Sequence, residues 1–235
     1  MDARANDTRP WPEFCSGMRD IVPLALGVAT YGAAFGLLAA QAGFGGGQTG
    51  VMGGLVFAGS SQIVAAERLV AGAGVAAALV AGLALNLRLI LMTSSLRIEF
   101  AGRPLWQVLW GVHLTSDENW ALMHAARARG RVAGYWYLVG GGMMLWVVWV
   151  TSTMIGAVYA RTLPDPRSLG IDFAFTAAFI AILCSLWRGR GDLAPWVTSA
   201  ACATLLTMVV PIDPTWALVG GGVAGAAVAG RGGHE

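Results

Sequence analysis

Long stretches without charged residues divide this 235-residue chain and predict its helices. There are six, of 15 to 46 residues and 146 positions in all: 21–66, 69–87, 132–160, 173–187, 193–212 and 214–230. A helix that crosses the hydrocarbon core of a bilayer needs about 20 mostly apolar residues. None of the stretches alternates apolar and polar positions, as the strands of a membrane barrel do. The pattern therefore predicts an all-α, polytopic integral membrane protein.

Glycine and polar residues inside these stretches set the expected helix boundaries. The first stretch is too long for one helix, and the glycine-rich residues 43–50 favour a turn within it. Its second part is short and polar at its centre, so it either crosses the membrane or re-enters. The semi-polar residues 104–126 cross, re-enter or lie at the interface. We expect about six to seven transmembrane helices plus re-entrant or broken helical segments, at about 21–41, 51–66, 74–95, 134–160, 171–187, 193–211 and 215–229.

The arginines indicate how the chain is threaded. If 51–66 re-enters and 104–126 does not cross, a cytoplasmic N-terminus leaves eleven arginines inside and only Arg68, Arg161 and Arg167 outside. Cytoplasmic loops carry such an excess of basic residues, so we expect six full spans with both termini cytoplasmic. The expected organisation is a cytoplasmic segment 1–20, a single transmembrane transport domain 21–230 and a short tail 231–235.

Composition excludes several classes of protein. Hydrophobic residues make up 56% of the chain and charged residues 12%, against about 25% charged in soluble domains. The net charge of +2 is carried by Arg without any Lys and indicates no nucleic-acid partner. Cys15, Cys184 and Cys202 lack the spacing of a disulfide framework or a zinc site. No GxxxxGK[ST], HExxH or GxSxG motif occurs, so we expect no enzyme activity, no cofactor and no metal.

Polar side chains within the apolar stretches are the candidates for function, because placing them in lipid costs free energy. Gly59 can unwind its helix, and Ser60, Ser61 and Gln62 follow it directly. A broken helix exposes backbone amides at the start of the next helix, where the dipole favours an anionic group. Gly59, Ser60, Ser61 and Gln62 are therefore candidate substrate-binding residues. The alternative is that both serines only hydrogen-bond within their own helix.

A second polar group, Asn86 and Arg88, lies deep in the apolar stretch that ends near residue 95. An arginine at this depth needs an anion or a water-filled cavity. Both residues are candidates for binding a substrate carboxylate. Two alternatives remain open, since Arg88 can also pair with a carboxylate from another segment or extend to the nearby interface.

A third group is titratable and lies in residues 104–126. Helical spacing of i, i+4, i+7 and i+11 places four residues on one face: His113, Asp117, Trp120 and His124. Acidic and imidazole groups within a membrane are typical of proton relays, so Asp117, Glu118 and His113 are candidate relay residues. Metal ligation is one alternative, and pairing of the carboxylates with Arg127 or Arg131 is another.

These groups occur in an order that resembles the AzlC family of branched-chain amino acid transporters, over about residues 14–230. The resemblance rests on GAAFGL (32–37), VFAGSSQ (56–62), NLR (86–88) with LMTSSL (91–96), TSDE (115–118) and GIDFAF (170–175). The family usually has His after Asn-Leu-Arg, whereas this chain has Leu89. The resemblance implies a bacterial inner-membrane protein that exports branched-chain amino acids together with a small, separately encoded AzlD-type membrane partner.

We therefore predict a secondary transporter that moves valine, leucine or isoleucine outward, coupled to protons. Its expected partners are the AzlD-type subunit, the amino-acid substrate and the lipid bilayer. One alternative is the permease subunit of a different amino-acid uptake system. Another is a passive channel for small solutes, whose flux would not depend on a proton gradient.

Overall fold

Helices dominate the structure, as the sequence predicts. The computed structural model describes residues 10–160, 187, 189–210 and 214–232, and these contain no β-strand. The chain forms two compact units, Met1–Phe175 and Thr176–Glu235. The described part of the first unit contains α1 (Pro10–Asp20), α2 (Val22–Gln41), α3 (Gly46–Val56), α4 (Gly59–Val70), α5 (Val75–Ser95), α6 (Arg97–Phe100), α7 (Leu105–His113), α8 (Asp117–Ala128) and α9 (Tyr135–Tyr159). The second unit contains α10 (Leu193–Val209) and α11 (Pro214–Gly232).

Four helices among the described residues are long and apolar enough to cross a membrane: Val22–Gln41, Val75–Ser95, Tyr135–Tyr159 and Arg190–Val209. They match the spans predicted at 21–41, 74–95, 134–160 and 193–211. The shorter apolar helix Val219–Gly230 lies in α11 and matches the prediction at 215–229. The predicted span at 171–187 falls outside the described residues, apart from Trp187.

Two of the predicted segments are each divided into a pair of helices. The segment at 51–66 extends over α3 and α4, with a break at Phe57 and Ala58. The segment at 104–126 becomes α7 and α8, separated by residues 114–116. The helix does not continue there because the Asn119 side chain accepts the hydrogen bond of the Ser116 N–H at 2.7 Å. The prediction that His113, Asp117, Trp120 and His124 share one face of a single helix is therefore wrong.

Close contact between α2 and α9 forms the centre of the first unit. A Cβ atom on Gly36 would lie 2.1 Å from the Thr153 carbonyl oxygen, and one on Gly156 would lie 2.1 Å from the Ala33 carbonyl oxygen. Only glycine lets two backbones approach this closely, which is the usual role of small residues between membrane helices. Gly36 and Gly156 therefore act as packing residues between α2 and α9.

The helix α1 lies against the start of α9, within a region that the sequence assigns only to an N-terminal segment. Gly17 packs on the backbone of Tyr137. The Glu13 carboxylate accepts hydrogen bonds from the backbone N–H groups of Gly134 and Tyr137, so it satisfies the free amides at the start of α9. Burial raises the pKa of Glu13 above its usual value, although both amides oppose this shift.

Candidate functional site

The break between α3 and α4 creates a helix start inside the first unit. Phe57 ends α3 with a φ of 42°, in the left-handed region, and α4 begins two residues later at Gly59. A Cβ atom on Gly59 would lie 2.9 Å from the Trp149 ring and 3.0 Å from the Tyr31 ring. The expected interruption of the helix is therefore present, and Ser60, Ser61 and Gln62 lie in the first turn of α4. The first amides of a helix have no partner within it.

The first two polar groups predicted from the sequence meet across α4 and α5. The Ser61 hydroxyl donates a hydrogen bond to Asn86 Oδ1 at 2.5 Å. The Arg88 Nη2 atom donates to the Ser60 hydroxyl at 2.7 Å. Both serines thus bond to another helix, so the alternative that they bond only within their own helix is wrong.

Asp117 joins this arrangement from the start of α8. Its Oδ2 atom lies 2.7 Å from Arg88 Nη2, the same nitrogen that reaches Ser60. The two charged side chains remain 43% and 36% exposed within the chain. Arg88 therefore pairs with a carboxylate from another segment and still borders an accessible space. We call Ser60, Ser61, Asn86, Arg88 and Asp117 the polar cluster.

An aromatic wall, formed by Tyr31, Phe35 and Trp149, lies next to the polar cluster. The Trp149 indole N–H donates to Gln62 Oε1 at 3.1 Å. The Trp149 ring stacks on Phe35 at 5.5 Å between centroids and contacts Tyr31 at 5.6 Å. Gln62 is only 1% exposed, and its Nε2 atom has no hydrogen-bond partner among the described residues. The polar cluster is therefore bordered on one side by the aromatic wall, where the Gln62 amide N–H₂ group has no hydrogen-bond acceptor among the described residues.

Sequence reasoning missed this aromatic wall. Its three residues lie in α2 and α9, which are mostly apolar, and aromatic residues are common there as packing groups. The sequence signal is the run of three hydroxyl residues in α9, Thr151 to Thr153, of which Ser152 and Thr153 follow Trp149 after one turn. These hydroxyls indicate that this face of α9 contacts another part of the protein, but not which residues it contacts.

The third predicted group is separated by the break between α7 and α8. His113 Nε2 lies 3.0 Å from the Gly54 carbonyl oxygen at the end of α3, and Trp146 Nε1 donates to the same oxygen at 2.9 Å. Asp117 instead bonds to Arg88, and Glu118 follows it in the first turn of α8 near the Ser116 hydroxyl. His113 and Asp117 thus belong to different contacts.

The two arginines considered as partners of Asp117 and Glu118 pair with other carboxylates. Arg127 pairs with Glu99 and Arg131 pairs with Asp20 at 2.7 Å, so neither arginine neutralises Asp117 or Glu118. His124 contacts the Trp120 ring at 4.6 Å, and burial lowers its pKa. Within the described residues, no three His, Cys, Asp or Glu side chains are grouped as metal ligands.

Asn119 holds the start of α8 in place. Its Oδ1 atom accepts from the Ser116 N–H at 2.7 Å, and its Nδ2 atom donates to the carbonyl oxygens of Leu114 at 2.7 Å and Leu138 at 3.1 Å. The side chain is 1% exposed. Asn119 therefore connects the segment between α7 and α8 to α9, and it fixes the first turn of α8, where Asp117 lies.

Replacing Asn119 with Leu should lower the free energy of unfolding by about 2 to 3 kcal/mol, because three buried backbone groups lose their partner. The measurement is denaturant unfolding of the purified protein in mixed micelles. The matched control is Gln107→Leu, whose side-chain oxygen accepts a single bond from Arg103 at 3.2 Å and which should cost under about 1 kcal/mol. Equal losses in the two variants would contradict the role given to Asn119.

Comparison with known proteins identifies the family. The AzlC family, described as AzlC protein, matches residues 23–163, which include α3 to α9 and all but the first residue of α2. The chain is 28% identical over 209 residues to the inner membrane protein YgaZ of Escherichia coli, with 85% of this chain and 84% of the relative covered. It is 25% identical over 179 residues to the branched-chain amino acid transport protein AzlC of Bacillus subtilis, with coverage of 75% and 69%. No solved structure matches it. With the family match covering more than half of its length, this chain belongs to the AzlC family.

Proposed function

We propose that this protein is a secondary transporter that exports branched-chain amino acids across the bacterial inner membrane in exchange for protons. We further propose that it works with a small AzlD-type membrane subunit. Membership of the AzlC family and the printed function of the Bacillus subtilis relative support the substrate class. The observation that carries the proposal is the polar cluster, in which an ion pair between α5 and α8 is hydrogen-bonded to a serine of a third helix, α4.

The charges of the cluster are complementary to a zwitterion. A free amino acid carries a carboxylate and an ammonium group close together, and Arg88 and Asp117 offer one opposite charge to each. In this proposal the substrate carboxylate binds to Arg88, to the Ser60 and Ser61 hydroxyls and to the first amides of α4. The ammonium group binds to Asp117, with Glu118 beside it. Asn86 and Gln62 supply the remaining hydrogen bonds.

The aliphatic side chain of the substrate would lie on the aromatic wall. Tyr31 is the partly exposed member of the wall and lies beside Gly59, while the buried Trp149 and Phe35 pack behind it. Such a surface accepts valine, leucine and isoleucine with similar affinities, because one methylene changes binding by only about 1 to 3 kcal/mol. We therefore expect a transporter of the whole class rather than of one amino acid.

Exchange with protons follows from competition for the carboxylates. A proton on Asp117 or Glu118 removes the negative charge that the substrate ammonium needs, so substrate and proton bind in turn. Outward movement of substrate is then accompanied by inward movement of a proton. His113 is not required in this scheme, because its ring bonds to the Gly54 carbonyl.

The proposal is tested by efflux of labelled valine, leucine and isoleucine from preloaded cells that lack their own exporters. The chain is expressed alone and with its small partner, before and after collapse of the proton gradient. We expect efflux of all three that requires the partner and disappears with the gradient. Efflux that persists without a gradient would indicate the passive channel instead. No efflux in any configuration would overturn the substrate assignment.

Glu118→Gln separates proton coupling from binding, because Asp117 keeps its pairing with Arg88 in this variant. We expect net efflux driven by the proton gradient to fall by about tenfold, while exchange of internal for external substrate continues. The matched control is Glu67→Gln, which removes an exposed carboxyl at the far end of α4 and should leave both measurements unchanged. If gradient-driven efflux by Glu118→Gln equals that of the original chain, Glu118 has no part in the coupling.

A further inference from the structure

A second charged region of the first unit lies away from the polar cluster. A cavity of about 500 Å³ opens beside the starts of α2 and α9. Its lining consists of Arg19, Asp20, Pro23, Leu122, Arg129 and Arg131. We call it the arginine cavity. Three guanidinium groups thus face one carboxylate.

The single carboxylate of the arginine cavity is already used. Asp20 Oδ2 accepts a hydrogen bond from the Tyr137 hydroxyl at 2.8 Å and lies 2.7 Å from Arg131 Nη1. Arg131 also donates to the Ser16 hydroxyl at 3.0 Å. Asp20 and Arg131 therefore form a closed group that neutralises one of the three positive charges and no more.

The other two guanidinium groups are available for a ligand. Arg19 and Arg129 are exposed, and neither forms an ion pair with another side chain within residues 10–160. Arginine presents a planar set of donors that fits the oxygens of a phosphate in a bidentate way. The charge and the donor type both favour a phosphate group.

The position of the cavity agrees with the headgroup level of a bilayer. Asp20 and Pro23 lie at the start of α2, and Arg129 and Arg131 lie six and four residues before the start of α9. Both helices are membrane-spanning candidates that pack side by side, so their neighbouring starts lie at a membrane boundary. Trp11 on α1, eight residues before Arg19, is 71% exposed. Exposed tryptophans are enriched at the headgroup level of membranes. Leu122 and Pro23 give the cavity an apolar wall.

We propose that the arginine cavity binds the phosphate of an anionic phospholipid, with Arg19 and Arg129 as the contacting groups. Basic cavities between membrane helices recognise lipid headgroups in this way. A lipid such as phosphatidylglycerol brings one net negative charge and places its acyl chains along Leu122 and the spans. A zwitterionic lipid brings its own ammonium group, which the arginines repel. This site is independent of the proposed transport activity.

The test measures binding of phosphatidylglycerol to the purified full chain in neutral detergent, by native mass spectrometry and by thermal stability. We expect phosphatidylglycerol to bind and stabilise the protein more than phosphatidylcholine does. The double variant Arg19→Gln/Arg129→Gln should lose about thirtyfold in affinity, which corresponds to about 2 kcal/mol. Arg129→Gln alone should lose about fivefold.

The control for charge alone is Arg97→Gln. Arg97 is exposed at the start of α6, lies outside the cavity and has no ion pair within residues 10–160, so this variant should bind phosphatidylglycerol like the original chain. Unchanged binding by the double variant would overturn the proposal. Equal stabilisation by inorganic phosphate or glycerol phosphate without lipid would also overturn it and would indicate a soluble phosphate ester as the ligand.

Discussion

Replacing Gly36 with Val should lower the free energy of unfolding by about 4 kcal/mol and leave little folded protein. The new Cβ atom would lie 2.1 Å from the Thr153 carbonyl oxygen and 2.6 Å from the Ala157 nitrogen. Both atoms belong to the backbone of α9, so no side chain can rotate away, and α2 and α9 must separate. Overpacking in a core usually costs about 1 to 3 kcal/mol, and a backbone contact between two spans exceeds that range. The measurement is unfolding in mixed micelles, together with the yield of monodisperse protein.

A matched control lies on the same helix. Gly27 has no atom within 4 Å of its expected Cβ position, so Gly27→Val should change the free energy of unfolding by under about 0.5 kcal/mol. Gly156→Val tests the same contact from the other helix, because its Cβ atom would meet the Ala33 carbonyl oxygen at 2.1 Å. A Gly36→Val protein as stable as the Gly27→Val protein would show that α2 and α9 do not pack as described.

The long apolar helices could be predicted from the sequence because their signal is local. The bounds of α2, α5 and α9 differ from the predicted 21–41, 74–95 and 134–160 by no more than one residue at either end. Such spans can be recognised because a charged residue at the centre of a span costs free energy. The break before Gly59 was also predictable, because a glycine followed by three polar residues weakens a helix locally.

The break between α7 and α8 was missed because the helical spacing from His113 to His124 was given more weight than a local signal, the capping pair Ser116 and Asn119 at the start of α8. Asn119 takes the Ser116 N–H while bonding to Leu138 on α9, and helical periodicity contains no information on such a contact. For the same reason the sequence identified Ser60, Arg88 and Asp117 as separate candidates and left their contact open. Spacing along one helix predicts which residues share a face, but not which helices meet.

Replacing Arg88 with Gln should reduce export by about 100-fold, to the background of the efflux assay. The variant loses the positive charge proposed to bind the substrate carboxylate, and it leaves Asp117 without its partner at 2.7 Å. An uncompensated charge also destabilises the protein, by about 1 to 3 kcal/mol for a pair that is partly exposed. A loss of activity alone therefore does not separate a binding role from a structural one.

The double variant Arg88→Gln/Asp117→Asn makes this separation. It removes both charges together and keeps hydrogen-bonding groups of similar size, so the free energy of unfolding should return to within about 1 kcal/mol of the original. Export should remain absent, because neither charge of the zwitterion has a partner. Arg97→Gln removes an exposed arginine outside the polar cluster and should export normally. A stable double variant that exports valine at the original rate would show that the ion pair only holds α5 and α8 together, and the substrate would then have to bind elsewhere.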